Sequence, residues 1–297
     1  LRAENFVAEE TTTDAASAKP AKTQARVDLA SIGGLVLAFA GILGGLLIEG
    51  GKVKDIVQFT AALIVLGGTI GAVLVSTPLS VLQGALRRLA GVFLDASPDY
   101  AAATEEIIGY ATKARKNGLV SLEREADMIE DPFLRKALNL AVDGTDLQDI
   151  RKMLELEIQV EEQMAEAEAK VFESAGGFAP TVGIIGAVLG LIQVMKNLAN
   201  IDEVGRGIAV SFVATVYGVG TANLFFLPAA SKMKARSYAL IQRKELILEG
   251  VLGIVEGLNP KLIRSKLEAY TIGSAPASQS KADRDSKKEE APAAVEA

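Results

Sequence analysis

The chain of 297 residues is 49% hydrophobic, carries a formal net charge of −6 and contains neither Cys nor His. Those absences exclude disulfide staples, thiol nucleophiles, imidazole acid–base work and ordinary zinc sites, and the slightly acidic balance gives no support for nucleic-acid binding. The apolar residues are concentrated in blocks instead of recurring at helical spacing, which favours a membrane protein over a large soluble core.

Residues 1–27 mix charge, Thr and Ala without an apolar period and are read as a flexible extension, too polar and too long for the basic start of a signal peptide. The first apolar block, Leu29–Ile48, lies between Asp28 and Glu49, and the second, Ile56–Val75, ends shortly before Pro78. Each approaches or exceeds the length needed to cross a hydrocarbon core of ~30 Å at a rise of about 1.5 Å per residue. The link Glu49–Asp55 is short, so the two spans are expected as an antiparallel hairpin.

Residues 77–177 are polar and read as helical. Leu79–Leu94 continues out of the membrane, and Tyr100–Lys116 ends at Asn117-Gly118 in the manner of a helix C-terminus. Ser121 is expected to cap a helix, Pro132 suits a first turn, and Asp143-Gly144 marks a stop. Thr145–Ser174 is expected as one long helix. Its Ile150, Met153, Leu154, Leu156, Val160, Met164, Ala167 and Val171 form a stripe for packing against neighbouring helices. Gly176-Gly177 is expected to turn the chain into a third span, Phe178–Met195, and the fourth is Ile208–Ala230. Ser231–Gly257 and Lys261–Tyr270 read as further helices, and the tail is too polar to order itself.

The predicted fold is therefore an all-α integral membrane protein, with four transmembrane helices in two hairpins and a helical cytoplasmic domain between spans two and three. The predicted divisions are 1–27, 28–76, 77–177, 178–230, 231–270 and 271–297. Arg87 and Arg88 follow the second span, and Lys232, Lys234 and Arg236 follow the fourth. Retention of positive residues in the cytoplasm puts the long segment and both termini inside an inner membrane.

Spans three and four carry no ionisable group, although a proton or cation path usually needs one at membrane depth. If ions pass, the titrating group belongs to another chain. Thr181, Thr215 and Tyr217 are polar enough to line such a path or to serve as packing glue between helices. Pro180 marks a helix boundary or a gating position, and Pro228, after a long helical run, should loosen the hydrogen-bond ladder. Around Asn117-Gly118, the charges of Lys113, Arg115, Lys116, Glu123 and Arg124, with Glu125 and Asp127, form a docking patch or a solvated face. The glycine runs lack the Lys or strand context of a nucleotide loop, and no cofactor is implied.

Four stretches in order carry a resemblance: LASIGGLVLAFAGILGG, KARKNGLVSLEREADMIEDPFLRKALNLAVDG, GGFAPTVGIIGAVLGLIQVM and IAVSFVATVYGVGTANLFFLPAASKMK. Together, over about residues 29–260, the sequence resembles the MotA/PomA family of flagellar stator proteins. The resemblance implies five copies around two copies of a MotB or PomB partner, whose membrane aspartate carries the ion. It also implies that ion flow turns the ring, whose cytoplasmic domains push on the rotor protein FliG. By position it places rotor-facing roles on Arg115 and Glu123, gating roles on Pro180 and Pro228, and ion-path roles on Thr215 and Ala187. The sodium-driven members resemble one another in having threonine where this chain has Ala187, which points here to protons, with Na⁺ the alternative. An ExbB/TolQ-like proton channel is the alternative reading, though those proteins usually have three spans.

Overall fold

The computed structural model describes residues 26–272 except 93, 96 and 97. Most of the expected N-terminal extension and polar tail lies outside the described residues. Four helices are long and apolar enough to cross a membrane. The first is α1, Leu29–Ile48, with Asp28 capping Ala30 and Ser31 N–H groups. A short helix α2, Val53–Ile56, precedes α3, Phe59–Ser76, so the second span begins a little later than its apolar run.

The helical domain follows. Helix α4, Leu79–Val92, leads through a two-residue antiparallel pairing of Arg26–Val27 (β1) with Leu94–Asp95 (β2) into α5, Tyr100–Asn117. Gly118 ends α5 at φ +83°, a left-handed conformation costly to residues with a Cβ. Ser121 does not cap a helix. It lies inside the tight turn Leu119–Leu122, and its hydroxyl donates to the Gly118 carbonyl at 2.7 Å. After α6, Glu123–Ala126, Pro132 occupies the first turn of α7, Pro132–Val142, where its missing N–H costs nothing.

The largest departure from the sequence reading is α8, which runs unbroken from Leu147 to Lys196. Gly176-Gly177 does not turn the chain. Gly176 is buried, and a Cβ there would sit 2.6 Å from Leu227 Cδ2, so this glycine admits a neighbour and does not break the helix. Helix α9, Ile201–Thr221, likewise continues through a π-helical segment, Ala222–Phe226, into α10, Leu227–Val255. Pro228 follows that segment directly. The wider turn absorbs the clash that a proline ring makes with the carbonyl four residues back, so the expected loosening takes the form of a π-bulge inside one long helix. Helix α11, Pro260–Ile272, completes the described chain.

The expected stripe on α8 divides. Ile150, Leu154 and Val171 are buried, whereas Met153, Leu156, Val160 and Met164 are exposed, because spacings of three and four drift onto a second face that none of the described elements covers. Ile150 and Leu154 join a core built from α5, α7, α10 and α11, including Ile107, Leu134, Leu138, Ile247, Leu252 and Leu267, whereas Val171 packs in a second cluster with Val73, Phe172 and Met233. At its edge Asp131 pairs with Arg243 and accepts the Phe133 and Leu134 N–H groups at 2.8 and 3.1 Å.

In the membrane layer, α8 and α9 touch through glycine. A Cβ on Gly183 would lie 3.0 Å from the Ala214 carbonyl oxygen, and one on Gly218 would lie 2.6 Å from that of Ala179. Helix α3 joins them through Gly68, which receives Val182, and through Ala61 and Val65, buried with Val213 and Ala214. Such close backbone approach is the main source of helix association where lipid is as apolar as the side chains.

We expect Gly218→Val to destabilise the α8–α9 pair by about 1–3 kcal/mol, read as a lower unfolding temperature in detergent. Burial raises the Asp131 carboxyl, but Arg243 and the two backbone N–H groups outweigh it and hold the group below its ordinary value. A carboxyl depressed by folding contributes stability that is present above its unfolded pKa of about 3.9 and is lost as pH falls through the folded value. Asp131→Asn should cost about 1–3 kcal/mol at neutral pH, and below pH ~4 the gap from the unchanged protein should narrow in thermal unfolding.

Candidate ion path

Helices α8 and α9 lie antiparallel, and their close contacts set the register of the residues between them. Gly190 faces Gly207 and Ser211, Gly186 faces Ala214, and Gly218 meets both Gly183 and the Cα of Pro180. Ala187 and Ser211 therefore share one level. Thr215 lies one helical turn toward the proline end, and Leu227 packs on Gly176 beyond it. Pro180 thus sits against α9 itself, and Pro228 lies further along the same side, just after the π-helical segment.

The sequence-selected hydroxyls have different partners. Thr181 and Thr215 are exposed on the surface of the pair, and each donates to its own helix, Thr181 to Phe178 at 2.8 Å and Thr215 to Ser211 at 3.2 Å. Tyr217 is engaged elsewhere. Its hydroxyl donates to the Ile56 carbonyl at 2.6 Å and accepts the Gln58 N–H at 3.2 Å. Those backbone groups lie between α2 and α3, where no helix ladder satisfies them, so Tyr217 anchors α9 to the second span.

Ser211 is the buried polar residue at the level of Ala187. Its hydroxyl lies 2.8 Å from the Ala187 carbonyl and 3.0 Å from that of Gly207, and donates to them. Nothing in sequence distinguishes Ser211 from the other hydroxyls, because the partner carbonyl lies on another helix. Around this level the exposed faces of both helices are apolar, with Ile184, Ile185, Val188, Ile192, Phe212 and Val216 uncovered. Among the described residues no cluster of His, Cys, Asp or Glu suits a metal ion. The oxygens available to a passing ion from this chain are hydroxyls and carbonyls, without a carboxylate in the apolar segments.

The charged patch lies on both sides of the Gly118 turn, at the end of α5 and in α6. Lys113 pairs with Glu125 across Gly118 at 2.7 Å. Arg115, Lys116, Glu123 and Arg124 are exposed and make no ion pair among the described residues, and Arg115 and Glu123 are not brought together. Val120 and Met128, 69% and 82% exposed, lie among these charges, which charge reading alone does not reveal.

Residues 125–246 match the family described as MotA/TolQ/ExbB proton channel family, and residues 32–117 match the motility protein A N-terminal family. The chain is 36% identical over 244 residues to motility protein A of Helicobacter pylori, covering 82% of this chain and 95% of that protein. Among solved structures, C. jejuni MotAB aligns with a TM-score of 0.78 at 32% identity, covering 82% of this chain and 95% of the other. The flagellar MotAB stator complex from Bacillus subtilis aligns at 0.75 and 32%, covering 84% and 97%. The N-terminal match and the Helicobacter pylori relative are both motility protein A, and the likeness spans both the apolar helices and the helical domain between them. This chain therefore belongs to the MotA/TolQ/ExbB proton channel family, as one of its motility protein A members and a membrane channel subunit, not an enzyme.

Proposed function

We propose that this chain is the ion-conducting, torque-generating stator subunit of a bacterial flagellar motor. One observation carries the reading: the apolar segments that would wall the path, Phe178–Met195 and Ile208–Ala230, hold no Asp, Glu, Lys or Arg, so the titrating carboxylate must come from a partner. That partner is a MotB/PomB-like single-span chain carrying a membrane aspartate, as the likeness to MotAB complexes supports.

Five copies surround two partner helices, with α8 and α9 inward and α1 and α3 outward. The exposed apolar faces of α8 and α9 support this, since they need covering by other helices. Both termini and the helical domain are cytoplasmic, by the basic residues at the inner ends of the spans. A proton reaching the partner aspartate neutralises it and removes its preference for one subunit. Release past Thr215 and Thr181 restores the charge and favours the next subunit, so the ring advances. Pro180 and Pro228 are the positions where α8 and the α9–α10 helix yield during the step, and Tyr217 holds the wall to the second span.

The ion is H⁺. Ala187 offers no side-chain oxygen, and its carbonyl is engaged by Ser211 at 2.8 Å, so this level supplies little to coordinate a partly dehydrated Na⁺. Motion reaches the rotor protein FliG through Arg115 and Glu123, flanked by Lys113, Lys116 and Arg124. Exposed charges suit a contact that is made and broken repeatedly, because complementary potential speeds encounter without a deep interface to unmake.

In vesicles holding this chain and its partner with the plug segment removed, proton flux should appear and vanish when the partner aspartate becomes Asn. Sodium-dependent flux would overturn the ion assignment, and absence of flux would overturn the channel reading. Arg115→Glu should lower torque severalfold in tethered cells while the purified complex keeps its size, whereas loss of assembly would refute the rotor-facing role.

A further inference from the structure

Helix α4 is held at both ends at the level where the spans leave the membrane. It begins at Leu79, and the second span ends at Ser76. Beyond its other end Leu94 pairs with Val27, whose neighbour Asp28 caps the first span. Asp28 and Ser31 also meet Lys232, which follows the fourth span. The 14 residues of α4 extend about 21 Å, so it runs from the domain-side end of one span to that of another. A helix pinned in this way lies along the membrane boundary. Its side contacts agree, because Gly84 faces Glu168 of α8 while a Cβ on Gly91 would lie 3.9 Å from Arg236 Nη1 of α10, so α4 crosses both rods.

The faces of α4 differ. Val81, Leu82, Ala85 and Leu89 pack with Ala169 and Phe172 of α8 and with Met233 of α10. Arg88 pairs with Glu168, which lies on the domain side of Phe172 along α8. About half a turn round the helix from Arg88, Leu79 and Leu86 share a stripe and are 63% and 55% exposed. That stripe therefore points away from the helical domain and toward the bilayer. Ala90 extends it, and Arg87, exposed beside it, has no ion-pair partner among the described residues.

We propose that α4 is an interfacial helix that docks on the leaflet facing the helical domain, with Leu79 and Leu86 at the acyl boundary and Arg87 at lipid phosphates. The occupant is the bilayer because the spans at both ends fix the helix at headgroup level, where a helix with one apolar side and a cation at its edge binds. Arg88 does not serve, since Glu168 balances it. The docking braces the second span and, through Gly84 and Arg88, holds α8 where it leaves the membrane. The assignment rests on the placement of the spans and depends neither on the transported ion nor on the rotor contact.

The chain has no cysteine, so Leu86→Cys and, on the helical domain, the exposed control Thr112→Cys can each carry one fluorophore. The labelled chain is reconstituted with a cysteine-free partner in phosphatidylcholine vesicles. Brominated acyl chains should quench the probe at Leu86→Cys severalfold more than at Thr112→Cys, and iodide on both sides of the membrane should rank them in the reverse order. Brominated phosphatidylglycerol at low mole fraction should be enriched around Leu86→Cys by up to about fivefold over brominated phosphatidylcholine, the effect of a single cation near the headgroups. Arg87→Gln should remove that enrichment while the complex stays assembled, and an unchanged enrichment would overturn the phosphate contact. A Leu86→Cys probe open to iodide would overturn the docking. So would a probe shielded from both quenchers, which would show a second copy or the partner covering this face.

Discussion

The structure depends on the close approach of α8 and α9 at glycine. Inside a bilayer the hydrophobic effect does not draw helices together, so their association rests on dispersion contact and on the few polar groups that find partners. Gly183, Gly190, Gly207 and Gly218 bring two backbones within van der Waals distance, and the Ser211 hydroxyl adds a hydrogen bond at the same seam. Removing side chains from this face also decides what the opposite faces carry: bulky apolar groups and two exposed threonines, turned toward whatever else completes the wall.

Continuity of helices joins that wall to the domain outside the membrane. A span that ended at Gly176-Gly177 would be coupled to the domain by a flexible joint, whereas α8 passes through as one rod from the core around Leu154 to the membrane layer around Gly186. The fourth span runs on in the same way into α10, which carries Leu246, Val251 and Leu252 into the same core. These two antiparallel rods are anchored in one core, so no flexible linker separates the level of Ala187 from the helical domain.

The departures from regular geometry are confined to the proline end of the pair. Pro180 is housed where Gly218 allows α9 to approach its Cα, and Pro228 is housed by the preceding π-helical segment. Both sit where a membrane span passes into its cytoplasmic extension. A helix with one rung missing bends more readily than its neighbours, and the surrounding contacts keep that compliance local. Tyr217 works in the opposite sense, by tying α9 to the backbone between α2 and α3 and closing two backbone groups that lipid could not satisfy.

By itself the sequence determined the four apolar spans, the helical segment between the second and third, and the lack of a carboxylate along the last two, because length, hydropathy and charge are local properties. Gly118 and Pro132 were legible for the same reason: each sets the backbone within its own turn. Only the tertiary structure decided that Gly176-Gly177 stays helical, that Met153 and Leu156 are exposed while Ile150 and Leu154 are buried, and that Tyr217 is an anchor. It also decided the role of Ser211. Each of these depends on what a distant segment places opposite the residue: Leu227 against Gly176, Ile56 and Gln58 against Tyr217, and the Ala187 carbonyl against Ser211. A glycine reads as a break or as a contact, and a hydroxyl as a path or as a clamp, only once its neighbour across the helix interface is in place.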